Sequence, residues 1–466
     1  MKIKKAALAA ILLLLTLFAA CNSYDNYAAN YNRDCEEPPP FESSIPLDTA
    51  AAYFAKMQAI WDEDGGALWG LPLHAPLMFA DPITRHAVAN MPDPDGFLQR
   101  QEDVYVGVLP GDVSIGATIV NFNGLLWGML NWDFAERNLD NEADILRVLT
   151  HEGFHAVQNM VVSGFPMGGN LEHMSRLDAR ISVMLELTAL MAAARGSGDE
   201  QFTAIHDALS IRYDRRQRHP EAIIGENHFE ISEGLAVFTD LMLVVRNLDE
   251  ILDYIENKIA HYAERQSLRF FGYWSGALYA LLLEEVGADW KSGITYGTDL
   301  GYLLQQRLGF TELTPFEQLN LGPYGYTEIV QAQTAWIENF ESILEGAGEA
   351  LINQPTLSLG GGHYINWDTA EVEVFFLPCD NPMEVLELFL VIYGNFTVTG
   401  TNWQLEVQGG YARILSHPDR IRVGPAINIE VSEDGSRAIG PTWELVITDD
   451  LYTIETLPDG RVIIAR

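Results

Sequence analysis

The sequence predicts an α+β protein: a small N-terminal β-sheet, a mainly helical middle, and a C-terminal all-β, sandwich-like region. Three observations carry this. Short apolar runs broken by turn residues fill 67–134. Apolar residues recur at helical spacing through 140–345. From about Ile352 short β-type runs return, punctuated by Gly, Asn, Asp and Pro. The predicted organisation is a signal segment over 1–20, a tether over 21–46, the sheet and helices within 47–350, and a β domain over 351–466.

At 466 residues, 48% hydrophobic, the chain can bury a sizeable core. Its formal charge is −37, from 28 basic and 65 acidic side chains, which argues against nucleic acid as a partner because that needs a basic footprint. The charge fits a role in solubility alone or, as the alternative, weak attraction to cationic substrates.

Lys2, Lys4 and Lys5 precede an apolar stretch, Ala6 to Phe18, that is too short to span a membrane comfortably. It ends in Phe18-Ala19-Ala20-Cys21, which resembles a bacterial lipobox. That resemblance implies cleavage before Cys21, lipid on Cys21, and a chain anchored in the bacterial cell envelope, periplasmic or surface-exposed. An ordinary secretory signal with an incidental Cys is the alternative. In that oxidising setting Cys35 and Cys379 could pair or remain two thiols. Residues up to Pro46, with Pro38-Pro39-Pro40, read as the tether.

Asp48 to Trp61 reads as a helix with Asp48 or Thr49 as its cap. Strands follow at Leu77–Ala80, Val104–Val108, Ala117–Phe122 and Leu125–Trp132. Asn123-Gly124 between the last two is a strong hairpin signal, because both turn positions need positive φ. This hairpin is expected to lead directly into a helix that starts near Asp140 or Asn141, bears Glu142 and Asp144 in its first turn, and ends near Gly164. Further helices are expected at Glu172–Arg195, Phe202–Arg216, Glu226–Arg246, Leu248–Glu264, Tyr273–Val286, Leu300–Leu308 and Tyr326–Glu345. Strand candidates in the last region are Val372–Leu377, Leu386–Tyr393, Trp403–Val407, Ala412–Ser416, Ala426–Val431, Glu444–Ile447, Tyr452–Thr456 and Val462–Ile464.

The chemistry concentrates in His151-Glu152-Gly153-Phe154-His155. On a helix, i and i+4 share a face, so His151 and His155 can grip one Zn2+ while Glu152 reaches the water that such an ion activates. A catalytic zinc takes three protein ligands. The best third candidate is Glu233, a carboxylate opening an otherwise apolar run and costly there unless paired or metal-bound. Glu230 and His228 compete with it. Asp240, seven residues after Glu233, lies on the same face and could accept the spare N–H of a ligating histidine. The other histidines are scattered.

His-Glu-x-x-His followed by a helix carrying Glu233-Gly234-x-Ala236-x-x-x-Asp240 resembles the gluzincin metallopeptidases, the thermolysin-like and alanyl-aminopeptidase-like superfamily, over roughly Asp48 to Glu345. The resemblance implies zinc ligands at His151, His155 and Glu233, a general base at Glu152 and a supporting acid at Asp240. Gly272-Tyr273-Trp274-Ser275-Gly276-Ala277 resembles the Tyr-x-x-Gly-Ala segment of the aminopeptidase branch and implies an oxyanion-stabilising role for Tyr273; a half-buried tyrosine capping a core helix is the equal alternative. In that family the edge strand of the small sheet receives the peptide. Gly128-Met129-Leu130-Asn131 reads as that edge, with Leu130 where an aminopeptidase carries a glutamate for the free amino terminus. The interval from His155 to Glu233 is long for the aminopeptidase branch, and the helices between Glu172 and Arg216 read as an insertion. The expected activity is hydrolysis of peptide or protein substrates with zinc as cofactor. The alternative is a non-catalytic surface-binding or scaffold lipoprotein with a vestigial metal site.

Overall fold

The computed structural model describes residues 42–465, apart from 112, 165–170, 266–270, 352–356, 361–362, 366–370, 378–388, 401, 416–419, 450 and 457–461. The signal segment, Cys21, most of the tether, Cys35 and Cys379 lie outside these residues. The chain is an α+β protein with an N-terminal six-stranded sheet, a helical middle and a C-terminal antiparallel sheet region. Among the described residues no helix is long and apolar enough to cross a membrane.

Helix α1 (Leu47–Asp64) buries Ala50, Tyr53, Phe54, Met57 and Trp61, a single stripe at helical spacing. Asp48 sits in its first turn and Pro46 takes the capping position. Gly65, at φ 55°, closes the helix by donating its N–H to the Trp61 carbonyl.

Six strands follow: β1 (Leu77–Ala80), β2 (His86–Ala89), β3 (Gln99–Gln101), β4 (Val104–Val108), β5 (Thr118–Phe122) and β6 (Leu125–Asn131). They lie in the order β3-β4-β2-β1-β6-β5, with β1 and β6 parallel and all other neighbours antiparallel. The β5–β6 hairpin turns at Asn123 (φ 52°) and Gly124 (φ 77°), the two positive angles that Asn-Gly predicts. β2 and the polar β3 carried no clear strand signal. The expectation that Gly128–Asn131 forms the substrate edge is corrected. β6 is an interior strand, and Leu130, fully buried, stands opposite Phe79 of β1. The edge on that side is β5.

A short helix, α2 (Trp132–Arg137), separates the hairpin from the histidine-bearing helix α3 (Glu142–Val157), so the direct connection expected from sequence is also corrected. The Asn131 side chain makes this break by accepting from the Phe134 N–H at 2.7 Å. β6 presses directly on α3. A Cβ at Gly128 would stand 2.6–2.7 Å from backbone atoms of Glu152 and Gly153, so only glycine permits the approach.

Two packed helices come next, α4 (Leu177–Arg195) and α5 (Gly198–Arg218). A continuous helical run then contains α6 (Ile223–Phe229), a π turn (Glu230–Gly234), α7 (Leu235–Asp240) and a second π turn (Leu241–Val245). Helices α8 (Leu248–Arg265), α9 (Phe271–Val286), α10 (Leu300–Leu308) and α11 (Tyr326–Leu351) complete the middle, and α11 packs against both α4 and the C-terminal sheet.

That sheet is built on a long hairpin, Phe389–Gly400 with Trp403–Leu415, irregular between Gly394 and Phe396. Each arm changes neighbour along its length. The first arm pairs with Glu371–Leu377 and then with His363–Ile365; the second pairs with Trp443–Ile447 and then with Arg420–Gly424. Phe396, Val398, Leu405, Val407, Ile421, Val423 and Leu445 form its core. The two expected strands Trp403–Val407 and Ala412–Ser416 are thus one strand, and Ala426–Val431 shrinks to Glu430–Val431.

Candidate metal centre

Helix α3 buries Ile145, Leu146, Leu149, Phe154 and Val157. That leaves His151 and His155, one turn apart, on a part-buried face, with their Nε2 atoms 3.2 Å from each other. The Glu233 Oε2 atom completes a triangle, 3.4 Å from His151 Nε2 and 3.3 Å from His155 Nε2. These three residues form a group able to hold a metal ion. A tetrahedral ion with bonds of about 2.0–2.1 Å separates its ligands by about 3.3–3.4 Å, so the triangle, with sides of 3.2, 3.3 and 3.4 Å, comes close to one face of a zinc tetrahedron. Two imidazoles and a carboxylate also suit zinc better than calcium or magnesium, which prefer all-oxygen shells.

The remaining imidazole nitrogens are both engaged. His151 Nδ1 lies 3.3 Å from Asp240 Oδ2. Arg147, one turn before His151, donates from Nε to the other Asp240 oxygen at 2.9 Å, and its guanidinium lies over the Tyr254 ring. His155 Nδ1 lies 3.1 Å from Gln158 Oε1. Arg147, Tyr254 and Gln158 were not singled out from the sequence.

The charges are tightly matched. Burial opposes a charged His151, but the Asp240 and Glu233 carboxylates push its pKa up to about 10 in the metal-free chain. Burial likewise works against an ionised Glu233, yet His151 and His155 hold it well below the usual carboxylate range. Glu152 is 8% exposed, and burial raises its pKa although both histidines pull it down.

Tyr273, on α9, lies with its ring parallel to that of His151 (interplanar angle 7°, centroids 5.9 Å apart). α9 reaches this position through a close crossing. A Cβ on Gly234 would meet Gly276 Cα at 2.5 Å and the Gly272 carbonyl at 2.7 Å. The Gly-Ala segment therefore brings the turn bearing Glu233 and the helix bearing Tyr273 into backbone contact.

Neither competing ligand joins the triangle. Glu230 is fully buried and accepts from Arg212 Nη1 at 2.7 Å, Arg212 Nη2 at 2.6 Å and Ser275 Oγ at 2.8 Å. The π turn explains this. It advances about 80° per residue rather than about 100°, so Glu230 swings about 120° away from Glu233 instead of about 60°. His228 packs its ring against Tyr296, and its Nδ1 is buried without a hydrogen-bond partner among the described residues.

Behind Glu233 lies a buried ionic cluster absent from the sequence reading. Arg212, Arg215 and Arg216 of α5 bind Glu186 of α4, Glu226 and Glu230 of the helical run, and Asp299 before α10. The Tyr279 hydroxyl donates to Glu186 at 2.7 Å, and His173 Nε2 lies 2.8 Å from Glu226. The helices between Glu172 and Arg216 thus supply the cations that fix the segment carrying Glu233.

Of the residues singled out in the sequence, His151, Glu152, His155, Glu233, Asp240 and Tyr273 come together here, and Cys21 lies outside the described residues. Comparison with protein-family models, curated proteins and solved structures gives no match, so function has to be read from this geometry.

Proposed function

We propose that the chain is an exported, lipid-anchored zinc peptidase that hydrolyses peptide bonds in peptide or protein substrates. The observation that carries this reading is the His151–His155–Glu233 triangle, whose sides of 3.2, 3.3 and 3.4 Å come close to those of a zinc tetrahedron. Zinc held there would supply Lewis acidity to a carbonyl and lower the pKa of a water towards about 7.

Asp240 and Gln158 lie against the two histidine Nδ1 atoms as acceptors, so Nε2 of each is the atom that would bind metal, His151 giving up its second proton to do so. Glu152 lies next to both histidines in a poorly solvated position that raises its pKa. A carboxylate so placed suits the general base that takes a proton from water and returns it to the leaving amine. Tyr273, stacked beside His151, is placed to offer a hydrogen bond to a developing oxyanion. β5 is the sheet edge on the α3 side and contacts α3, so an extended peptide could add to it as a further strand. Leu130, buried inside the sheet, bears on neither amino-terminal recognition nor its absence.

Glu152→Gln tests the reading. The unsubstituted chain is expected to bind about one zinc and to cleave a mixed peptide library, with products detected by mass spectrometry. The variant is expected to keep the zinc and lose cleavage by about 10²-fold or more. Full activity in the variant, or no zinc in either protein, sinks the proposal. Zinc without cleavage points to the scaffold alternative.

A further inference from the structure

We infer that Gln158 is a positioning residue of the metal centre. It acts as a clasp that sets the tautomer of His155 and ties that histidine to the turn carrying Glu233. The inference rests on the zinc reading above and extends it to a residue outside the motif.

Gln158 directly follows α3, three residues after His155, and is 2% exposed. Its amide spans two elements that the sequence separates by more than seventy residues. Nε2 donates to the Ile231 carbonyl at 2.8 Å and to the Ser232 carbonyl at 3.1 Å, the two residues before Glu233. Carbonyl oxygens only accept, so this end of the amide must be the NH2 group. The other end, Oε1, must then face His155 Nδ1, 3.1 Å away. An amide oxygen only accepts, so His155 carries its proton on Nδ1 in the arrangement that completes this bond. Its Nε2, 3.3 Å from Glu233 Oε2, is left with the lone pair. One neutral side chain thus presents one ligand in the metal-binding tautomer and fixes the backbone of another.

The two histidines are supported differently. His151 leans on Asp240, a carboxylate shared with Arg147. His155 leans on an uncharged amide whose second end is already committed. That difference makes Gln158 testable apart from charge effects.

Two variants separate the clasp from simple core filling. Gln158→Met keeps length and bulk but makes neither hydrogen bond. Gln158→Glu keeps an acceptor for His155 and strengthens it, but has no N–H for the Ile231 and Ser232 carbonyls. Zinc affinity would be measured by competition with a chromophoric chelator, and the thermal unfolding of the metal-free proteins would be followed alongside. The clasp requires both variants to bind zinc about 10- to 100-fold more weakly than the unsubstituted chain, with similar metal-free unfolding. Zinc binding within about twofold of the unsubstituted chain in either folded variant overturns it. Tighter binding by Gln158→Glu would assign Gln158 to the tautomer alone and also overturns it. Variants that stay unfolded in saturating zinc place Gln158 in the core and overturn it too. An unsubstituted chain that binds no zinc refutes the metal reading itself and the clasp with it; because this is measured first, the two failures are distinguishable.

Discussion

Arg212→Met should unfold the helical middle far more readily than the loss of an ordinary surface arginine. Arg212 is 3% exposed and holds Glu230 through both Nη atoms, Glu186 at 3.0 Å and Asp299 at 3.1 Å. The buried cluster sets three arginines against four carboxylates. Methionine fills most of the volume but leaves two cations facing four anions, with Glu230 keeping, among the described residues, only its bond from Ser275. Removing one partner from a buried ion pair typically costs about 3–5 kcal/mol, because the charge left behind stays desolvated. Replacing both partners by apolar residues is often close to neutral. Arg212→Met combined with Glu230→Met restores the original excess of one negative charge, since Glu186, Glu226 and Asp299 still face Arg215 and Arg216. The double variant should therefore recover most of the loss. Urea unfolding followed by helical circular dichroism on the parent, both single variants and the double variant gives the coupling directly. A loss below about 1 kcal/mol for Arg212→Met, or purely additive losses, would refute the view that the cluster holds this segment.

The same cluster sets an acid limit. Burial opposes ionised Glu226, but Arg215, His173 and Arg216 hold its carboxyl well below the usual value of 4.5; Arg212 and Arg216 likewise hold Asp299 below 3.8. A carboxyl with a lowered folded-state pKa contributes stability that is present above its unfolded value and lost as pH falls through its folded value. Helical signal should therefore persist down to about pH 4 and collapse below it; stability that rises as pH falls through this window would contradict the assignment. Asp240→Asn should weaken zinc binding about 10- to 100-fold, as read by chelator competition. An unchanged affinity would remove Asp240 from the support of His151.

What the sequence made legible follows the range of the interactions. His151, Glu152 and His155 stand within one helical turn or so, and Glu233 with Asp240 within two. Short-range periodicity finds such groups, and Asn123-Gly124 is a local turn rule of the same kind. The cluster could not be found this way. Glu186, Arg212, Glu230 and Asp299 come from four separate segments; Glu186 and Arg212 each read alone as a charged residue on an amphipathic helix, Asp299 as a residue just before one, and Glu230 as a rival ligand. Gln158 was invisible for a related reason: an uncharged residue beyond the motif gains meaning only when the Ile231 and Ser232 carbonyls are brought to it. The misplaced edge strand has a different origin. Leu125–Asn131 is the strand next to α3 in sequence, but β1 pairs with it in parallel from across the sheet, and no local pattern signals a parallel partner. Glu230 is ambiguous in the sequence because α-helical spacing puts it on a face close to that of Glu233, whereas the turn that carries both is π-helical.

The two glycine contacts explain why the ligands converge at all. At Gly128 the sheet backbone meets the α3 backbone beside Glu152, and at Gly234 the π turn meets α9 through Gly272 and Gly276. Both approaches are too close for any side chain. The sheet therefore bears on one side of the motif, and the helix carrying Tyr273 bears on the turn that carries Glu233. Backbone contacts of this kind cannot relax by changing rotamer, so the histidines and Glu233 are held by main chain as well as by their hydrogen-bond partners. A metal site needs its ligands fixed to within about 0.5 Å. Here α3 is pinned by the sheet, the Glu233 turn by α9 and by Arg212 through Glu230, and the two are joined by Gln158. The motif and Glu233 supply the proposed ligands, and the surrounding glycines, arginines and amide supply the spacing that brings them together.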